Sequence, residues 1–294
     1  MQHRPQRTIR QAVETTGIGF LTGADITVRF LPAGPNHGIA FQRTDCSGSP
    51  SIPARIEYTV PRRRRTAIEH GCVVVEMIEH VMAALAGLQI DNCLVQLNAP
   101  EPPGCDGSSL PFVNALLEAG VVEQNELREQ FVIQNHSRVC ADDGSSELTA
   151  QPSACSMLTI SYRLDYGPQS PILPQNLTVE LVPDRFVSEL AYSRTFVLES
   201  EVEALRAQGY GSRTTAKDLL VFGADGVIEN RLRSADECVR HKILDCLGDL
   251  ALIGCDLFGH FQAYRSGHTL NREMVRRLKI AQSNARVSSK RDAA

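Results

Sequence analysis

Short alternating and β-branched runs fill the first sixty positions of the chain. Thr8–Val13, Ile26–Leu31, Gly38–Arg43 and Ile52–Val60 carry the period-two pattern of strands. Gly17, Gly19, Gly23 and Pro32-Ala33-Gly34-Pro35 punctuate them. The period then changes. Met77, Val81, Ala84, Leu85 and Leu88 recur at helical spacing and predict a helix from Val73 to Leu88. A strand, Cys93–Asn98, and a Pro/Gly-broken loop, Ala99–Gly107, follow. Ser108 caps a predicted helix through Leu110, Phe112, Val113, Leu116 and Leu117 that ends at Gly120.

The polar segment Glu123–Gln130 marks an expected boundary between two domains, residues 1–126 and 127–294. Strands are predicted beyond it at Phe131–Val139, Glu147–Gln151, Met157–Leu164 and Leu177–Leu181. A helix starts at Pro183 and runs through Leu190, and another covers Glu199–Gln208. Leu219–Phe222 and Gly226–Ile228 read as strand fragments. Ser234-Ala235-Asp236-Glu237 has capping-box spacing and opens a helix through Val239, Ile243, Leu247, Leu250 and Leu252 to Gly254. A strand at Phe261–Tyr264, a turn at Ser266-Gly267, a helix over Asn271–Ile280 and a frayed polar tail from Ser283 complete the pattern. Residue identity reveals no internal repeat.

Composition narrows the function. With 43% apolar residues among 294, the chain has material for real cores, which excludes wholesale disorder. Thirty basic against 34 acidic residues leave a net charge of −4, which argues against a nucleic-acid binder held by bulk charge. No apolar run approaches the ~18 residues of a membrane span. The basic stretch Met1–Gln11 has no apolar segment behind it, so the expected location is cytoplasmic. The nine cysteines include no C-x-x-C pair and read mostly as reduced packing residues.

His241 and Asp245 are four apart on a predicted helix and share a face. Together they form either half of a divalent-metal site, suited to zinc or iron, or a hydrogen-bonded pair. Asp249 lies one turn further along. Glu69-His70 and Glu79-His80 each offer a carboxylate beside an imidazole. Glu79-His80 is the better candidate, because a charged dyad inside an apolar helix is costly unless paired or metal-bound. His268, on a glycine turn after a strand, is placed to be a proton donor or a surface residue. Motifs of serine hydrolases, P-loop enzymes, Rossmann dehydrogenases and H-E-x-x-H proteases are missing.

The motifs combine into a recognisable set. They are Glu79-His80-Val81-Met82-Ala83-Ala84-Leu85-Ala86-Gly87, Ile90-Asp91-Asn92, Asn98-Ala99-Pro100-Glu101 and Asp106-Gly107-Ser108. Ser193-Arg194-Thr195-Phe196, Val239-Arg240-His241-Lys242-Ile243-Leu244-Asp245 and Tyr264-Arg265-Ser266-Gly267-His268 follow. In this order the chain resembles the UDP-3-O-acyl-N-acetylglucosamine deacetylase family of lipid A biosynthesis. The resemblance implies an α+β fold of two similar domains, each a sheet layered against helices, with the site between them. It implies zinc, or alternatively Fe2+, on His80, His241 and Asp245. Glu79 is then the general base, His268 the acid, Asp249 its orienting carboxylate and Thr195 an oxyanion donor. Lys242 contacts the substrate and Phe196 lies near its sugar. The implied reaction converts a UDP-linked, 3-O-acylated N-acetylglucosamine to its free amine and acetate. The expected form is a monomer without nucleic-acid partners.

Three departures stand out. Leu21, in Gly17-Ile18-Gly19-Phe20-Leu21-Thr22-Gly23, stands where the family commonly has histidine. Glu76-Met77-Ile78 precedes Glu79 where a small hydroxylic residue is usual. Arg62–Arg65 forms a run that is either a solvated loop or a basic surface facing the diphosphate. These departures leave room for a related amidase acting on another N-acetylated sugar, or for a non-catalytic binding protein.

Overall fold

The computed structural model describes residues 3–154 and 157–292, with side chains as far as residue 284. Cys155, read above as a packing residue, and Met1 and Gln2 lie outside the described residues. The first half contains β1 (Pro5–Ile9), β2 (Val13–Ile18), β3 (Asp25–Pro32), β4 (Ile39–Arg43), β5 (Ile52–Pro53), β6 (Thr59–Val60), β7 (Ala67–His70) and β8 (Val73–Glu76). It continues with α1 (Glu79–Gly87), β9 (Cys93–Leu97), α2 (Leu110–Ala119) and β10 (Val121–Leu127). The second half contains β11 (Gln130–Val132), β12 (Ser137–Cys140), β13 (Glu147–Gln151), β14 (Leu158–Leu164), β15 (Gln175–Glu180) and α3 (Pro183–Arg185). After these come β16 (Phe196–Leu198), α4 (Glu199–Ala207), β17 (Leu220–Gly223), β18 (Gly226–Val227), α5 (Glu237–Leu250), β19 (Asp256–Tyr264) and α6 (His268–Asp292). The fold is α+β.

The two principal sheets are copies in topology. The first runs β2-β3-β9-β4-β5 and the second β12-β13-β19-β14-β15. Along each path the third neighbouring pair is parallel, β9 with β4 and β19 with β14, and the others are antiparallel; the second sheet also carries β11, off the path and parallel to the start of β19. A parallel pair needs a crossover. That crossover delivers α1 in one half and α5 in the other. Each crossover also carries an insert. The first insert is the antiparallel set β6-β7-β8, and the second holds α4 and the sheet β16-β17-β18. This repeat escaped the reading by residue identity because it lives in strand order.

The paired helices α1 and α5 pack on each other. Eight of the nine residues of α1 are buried, which explains why the helix is apolar almost all round. Gly248 permits the close approach, since a Cβ there would lie 2.2 Å from the Glu79 carbonyl oxygen. Arg4 staples the halves together. Its guanidinium donates to Asp91 at 2.7 and 2.8 Å and to Asp256 at 2.7 Å. The Asp91-Asn92 motif is therefore structural: Asn92 bonds Gln6, Gln124 and the Gly38 amide. Among the described residues, no helix is long and apolar enough to cross a membrane.

Several expected elements divide differently. The predicted helix Val73–Leu88 is strand β8 followed by α1. The triplet Val73-Val74-Val75 favours the pleated conformation against β7, and Met77 turns the chain at φ 55°. Glu79-His80 therefore opens a helix rather than sitting inside one. Ile52–Val60 is two short strands around a 3-10 turn at Ile56–Tyr58, because Pro53 ends the first pairing. Thr8–Val13 spans the gap between β1 and β2, and Phe131–Val139 splits into β11 and β12. The capping box at Ser234 does not form. Glu237 instead turns its carboxylate onto Arg194, at 2.8 Å, and onto the Arg233 amide. The polar tail does not fray at Ser283, since α6 runs from His268 to Asp292. Cys93, Cys238, Cys246 and Cys255 are buried as expected, but Cys72 and Cys140 are exposed.

Candidate metal centre

The centre assembles where the first turn of α1 meets the face of α5. His80 comes from α1, and His241 and Asp245 come from α5. One donor atom from each lies within 4.8 Å of the other two, and all three residues are buried. The two imidazole rings meet edge to face, with centroids 4.9 Å apart. Asp245 Oδ1 stands 3.4 Å from His241 Nε2 and 3.6 Å from His80 Nε2. It is buried and accepts no hydrogen bond. An orphaned carboxylate oxygen facing two imidazole nitrogens is a donor set that a divalent cation would satisfy. The residues therefore fit a divalent metal.

The surroundings prepare these donors. Ser193 O lies 3.1 Å from His241 Nδ1. A carbonyl only accepts, so Nδ1 carries the proton and Nε2 offers its lone pair inward. Burial pushes the His241 pKa down to about 3, so the ring is neutral and ready to ligate. Burial opposes the charge on Asp245, but the Lys242 ammonium beside it outweighs burial and holds the carboxyl well below the usual range. Lys242 Nζ donates to Asp245 Oδ2 at 2.8 Å.

A second pair of groups faces the same point. Glu79 Oε2 accepts the Thr66 N–H at 3.0 Å, and Oε1 stands 3.8 Å from His268 Nε2. Burial raises the Glu79 pKa, partly offset by His268 and His80. His268 Nδ1 bonds Asp249 Oδ2 at 2.8 Å, and its Nε2 lies 4.0 Å from Asp245 Oδ2. Burial disfavours the imidazolium, but Asp249 and Glu79 prevail and raise its pKa to about 9. A buried carboxylate and an imidazole held toward its cationic form thus flank the three residues.

The second insert forms the adjoining wall. Phe196 stacks edge to face on His241 at 6.1 Å, and Lys242 Nζ lies 5.5 Å above the Phe196 ring. Thr195 is half-buried, and its N–H donates to Gly107 O at 2.7 Å. This contact, with the Asp106–Arg233 ion pair at 2.7 Å, docks the Asp106-Gly107-Ser108 loop against the Ser193–Phe196 segment. The fully buried Arg194–Glu237 pair ties that segment to the start of α5. His70 lies elsewhere, at an exposed strand end beside the Tyr58 ring.

A family model for UDP-3-O-acyl N-acetylglycosamine deacetylase matches residues 6–280. The chain belongs to this deacetylase family. A relative named UDP-3-O-acyl-N-acetylglucosamine deacetylase, from Myxococcus xanthus, is 37% identical over 93% of this chain and 86% of its own. One of the same name from Pseudomonas entomophila is 36% identical over 95% and 91%. The bifunctional enzyme LpxC/FabZ of Chlorobaculum tepidum is 39% identical, and the chain spans 64% of that protein's length.

The departures from the deacetylase pattern now have locations. The Leu21 amide, with that of Thr22, donates to the carboxylate of fully buried Glu101. That loop packs on the second insert, where the Gly211 N–H bonds Phe20 O at 2.8 Å. The arginine run is not a free basic surface. Arg62 and Arg65 clasp Glu76, Arg64 pairs with Glu201 of α4, and Arg65 lies over the Tyr210 ring. The run joins the two inserts, with Glu76 the counter-ion of Arg62 and Arg65 and Glu201 that of Arg64. Thr66, Ser193 and Asn271 belong to the site but went unassigned, because an amide, a carbonyl and a small polar side chain leave no spacing signal.

Proposed function

We propose that the protein is a zinc-dependent amidohydrolase that removes acetate from UDP-3-O-[(3R)-3-hydroxyacyl]-N-acetylglucosamine, the committed step of lipid A biosynthesis. One observation carries the reading: the three metal donors share a point with a carboxylate base and a cationic imidazole. Zinc is the proposed ion and Fe2+ the alternative, held by His80, His241 and Asp245. When bound, the ion supplies Lewis acidity toward water and the acetyl carbonyl.

The chain's own groups do the rest. An acetamide resists hydrolysis because water is a weak nucleophile and an amine a poor leaving group. Glu79 Oε1 takes the proton of the attacking water, and its raised pKa makes it a stronger base than an exposed carboxylate. His268 protonates the departing amine, kept cationic by Asp249. Thr195 is the proposed hydrogen-bond donor to the developing oxyanion. Lys242 supplies positive charge for the substrate, and Phe196 packs beside its sugar. Division of the chain near residue 126 goes with this reading, supported by sheets built from residues 13–97 and 130–264. A monomer working in the cytoplasm, with no nucleic-acid partner, is proposed.

The test is mass spectrometry of the products from this substrate beside the same UDP-sugar lacking the 3-O-acyl chain. Acetate and free amine from the acylated sugar alone are expected. Deacetylation of both at equal rates would point to a broader amidase.

Asp249 gives a pH prediction. His268 must be cationic to act, so with a pKa near 9 its activity persists into mildly alkaline solution. Asp249→Asn removes the charge that opposes desolvation. The His268 pKa then falls, and the alkaline limb of the kcat profile moves to lower pH. A limb that stays in place would detach Asp249 from the acid.

A further inference from the structure

We infer that Thr66 is a positioning residue, coupling the proton acceptor Glu79 to the Asp249–His268 pair. This rests on the proposed function, but its evidence is separate. Thr66 is almost fully buried at 1% exposure, immediately before β7 in the first insert. Its amide donates to Glu79 Oε2 at 3.0 Å. Its hydroxyl donates to Asp249 Oδ1 and lies 3.3 Å from His268 Nδ1. One residue thus touches the base, the acid and the group that orients the acid.

Each contact leaves the reacting atoms free. Glu79 has Oε2 occupied, so Oε1 is the oxygen turned toward His268. Asp249 has Oδ1 occupied by Thr66, so Oδ2 serves His268 and Asn271, both at 2.8 Å. A carboxylate fixed at both oxygens cannot rotate, and the imidazole it holds is fixed with it. Thr66 itself is held rigidly. The Arg272 guanidinium bonds Arg65 O at 3.2 Å, the Ile78 N–H bonds Thr66 O at 3.3 Å, and Arg62 and Arg65 grip Glu76. The arginine run therefore anchors the backbone that carries Thr66.

The chemistry requires a hydroxyl, not merely a filled volume. Thr66→Val keeps the shape and the amide but leaves Asp249 Oδ1 buried without its donor. Thr66→Ser keeps the donor. Thr66 touches no group proposed to bind substrate, so the loss should appear in kcat and not in KM.

The experiment compares the full-length zinc-loaded protein with Thr66→Val, Thr66→Ser, Asp249→Asn and the Thr66→Val/Asp249→Asn double variant. Thr66→Val is expected to lose roughly 10- to 100-fold in kcat, the size of a lost hydrogen bond to a charged group, with KM within about threefold. Thr66→Ser should recover most of that loss. In the Asp249→Asn background Thr66→Val should cost less than about threefold, because the partner is already altered. A normal kcat in Thr66→Val, no recovery by Ser, or a full additive loss in the double variant overturns the inference. Acetate release by the unaltered protein tests the function separately. If that protein proves inactive, the same four variants give a double-mutant cycle in thermal midpoint. Additive shifts there would remove the Thr66–Asp249 coupling.

Discussion

Replacing Glu79 by Gln lowers turnover by roughly 100- to 10,000-fold while the protein retains its metal. The size follows from the proton that must leave water as it attacks the acetyl carbon. Beside the three metal donors, His268 Nε2 also faces the centre, but with its pKa raised to about 9 it is cationic at neutral pH and has no lone pair to offer. Gln preserves the volume and can still accept the Thr66 amide, so packing between α1 and α5 is undisturbed. Glu79 is not one of the three donors, so metal content should stay at one per chain. Metal analysis with single-turnover kinetics checks both halves of the statement. Turnover within about threefold of the parent would remove Glu79 from the mechanism, and loss of metal would make it a structural group instead.

Asp245→Asn should be more damaging still, with metal falling well below one per chain and activity below that of Glu79→Gln. Asp245 supplies the only carboxylate among the three donors, and its Oδ1 has no other partner. An amide offers a weaker, uncharged oxygen. The protein should still fold, because Asn can retain an acceptor for Lys242 Nζ in place of Asp245 Oδ2. Asp245→Ala would leave the buried ammonium unpaired, at a cost of about 3–5 kcal/mol, and would confuse folding with binding. Equilibrium dialysis with zinc reads the affinity directly. Full metal occupancy in Asp245→Asn would mean that the donor set is wrong.

Much of the site was legible because its residues recur at fixed offsets. His241 and Asp245 are one helical turn apart, and the structure places both on the buried face of α5. Glu79-His80 was found for a reason that needs correcting. The dyad is tolerated at a helix start, where free N–H groups favour a carboxylate, and not as an isolated charge inside a helix. The error came from Val73–Glu76, whose valines fit both a helical stripe and a strand and were decided by pairing with β7. The apparent capping box failed for a similar reason: Glu237 had a stronger, tertiary claim from Arg194. Thr66 was out of reach from sequence. Its importance comes from an amide and a hydroxyl brought to Glu79 and Asp249 across 13 and 183 positions. Strand order supplied the two-fold likeness of the halves that residue identity concealed.

The central claim is that a metal on His80, His241 and Asp245 drives removal of the acetyl group. The most direct measurement is acetate release from UDP-3-O-(3-hydroxyacyl)-N-acetylglucosamine by the purified protein, before and after chelation and after return of one equivalent of zinc. Activity lost on stripping and restored by zinc in the parent, but not in Asp245→Asn, is the predicted result. Undiminished acetate release from metal-free protein, or none from protein holding one zinc, would contradict it.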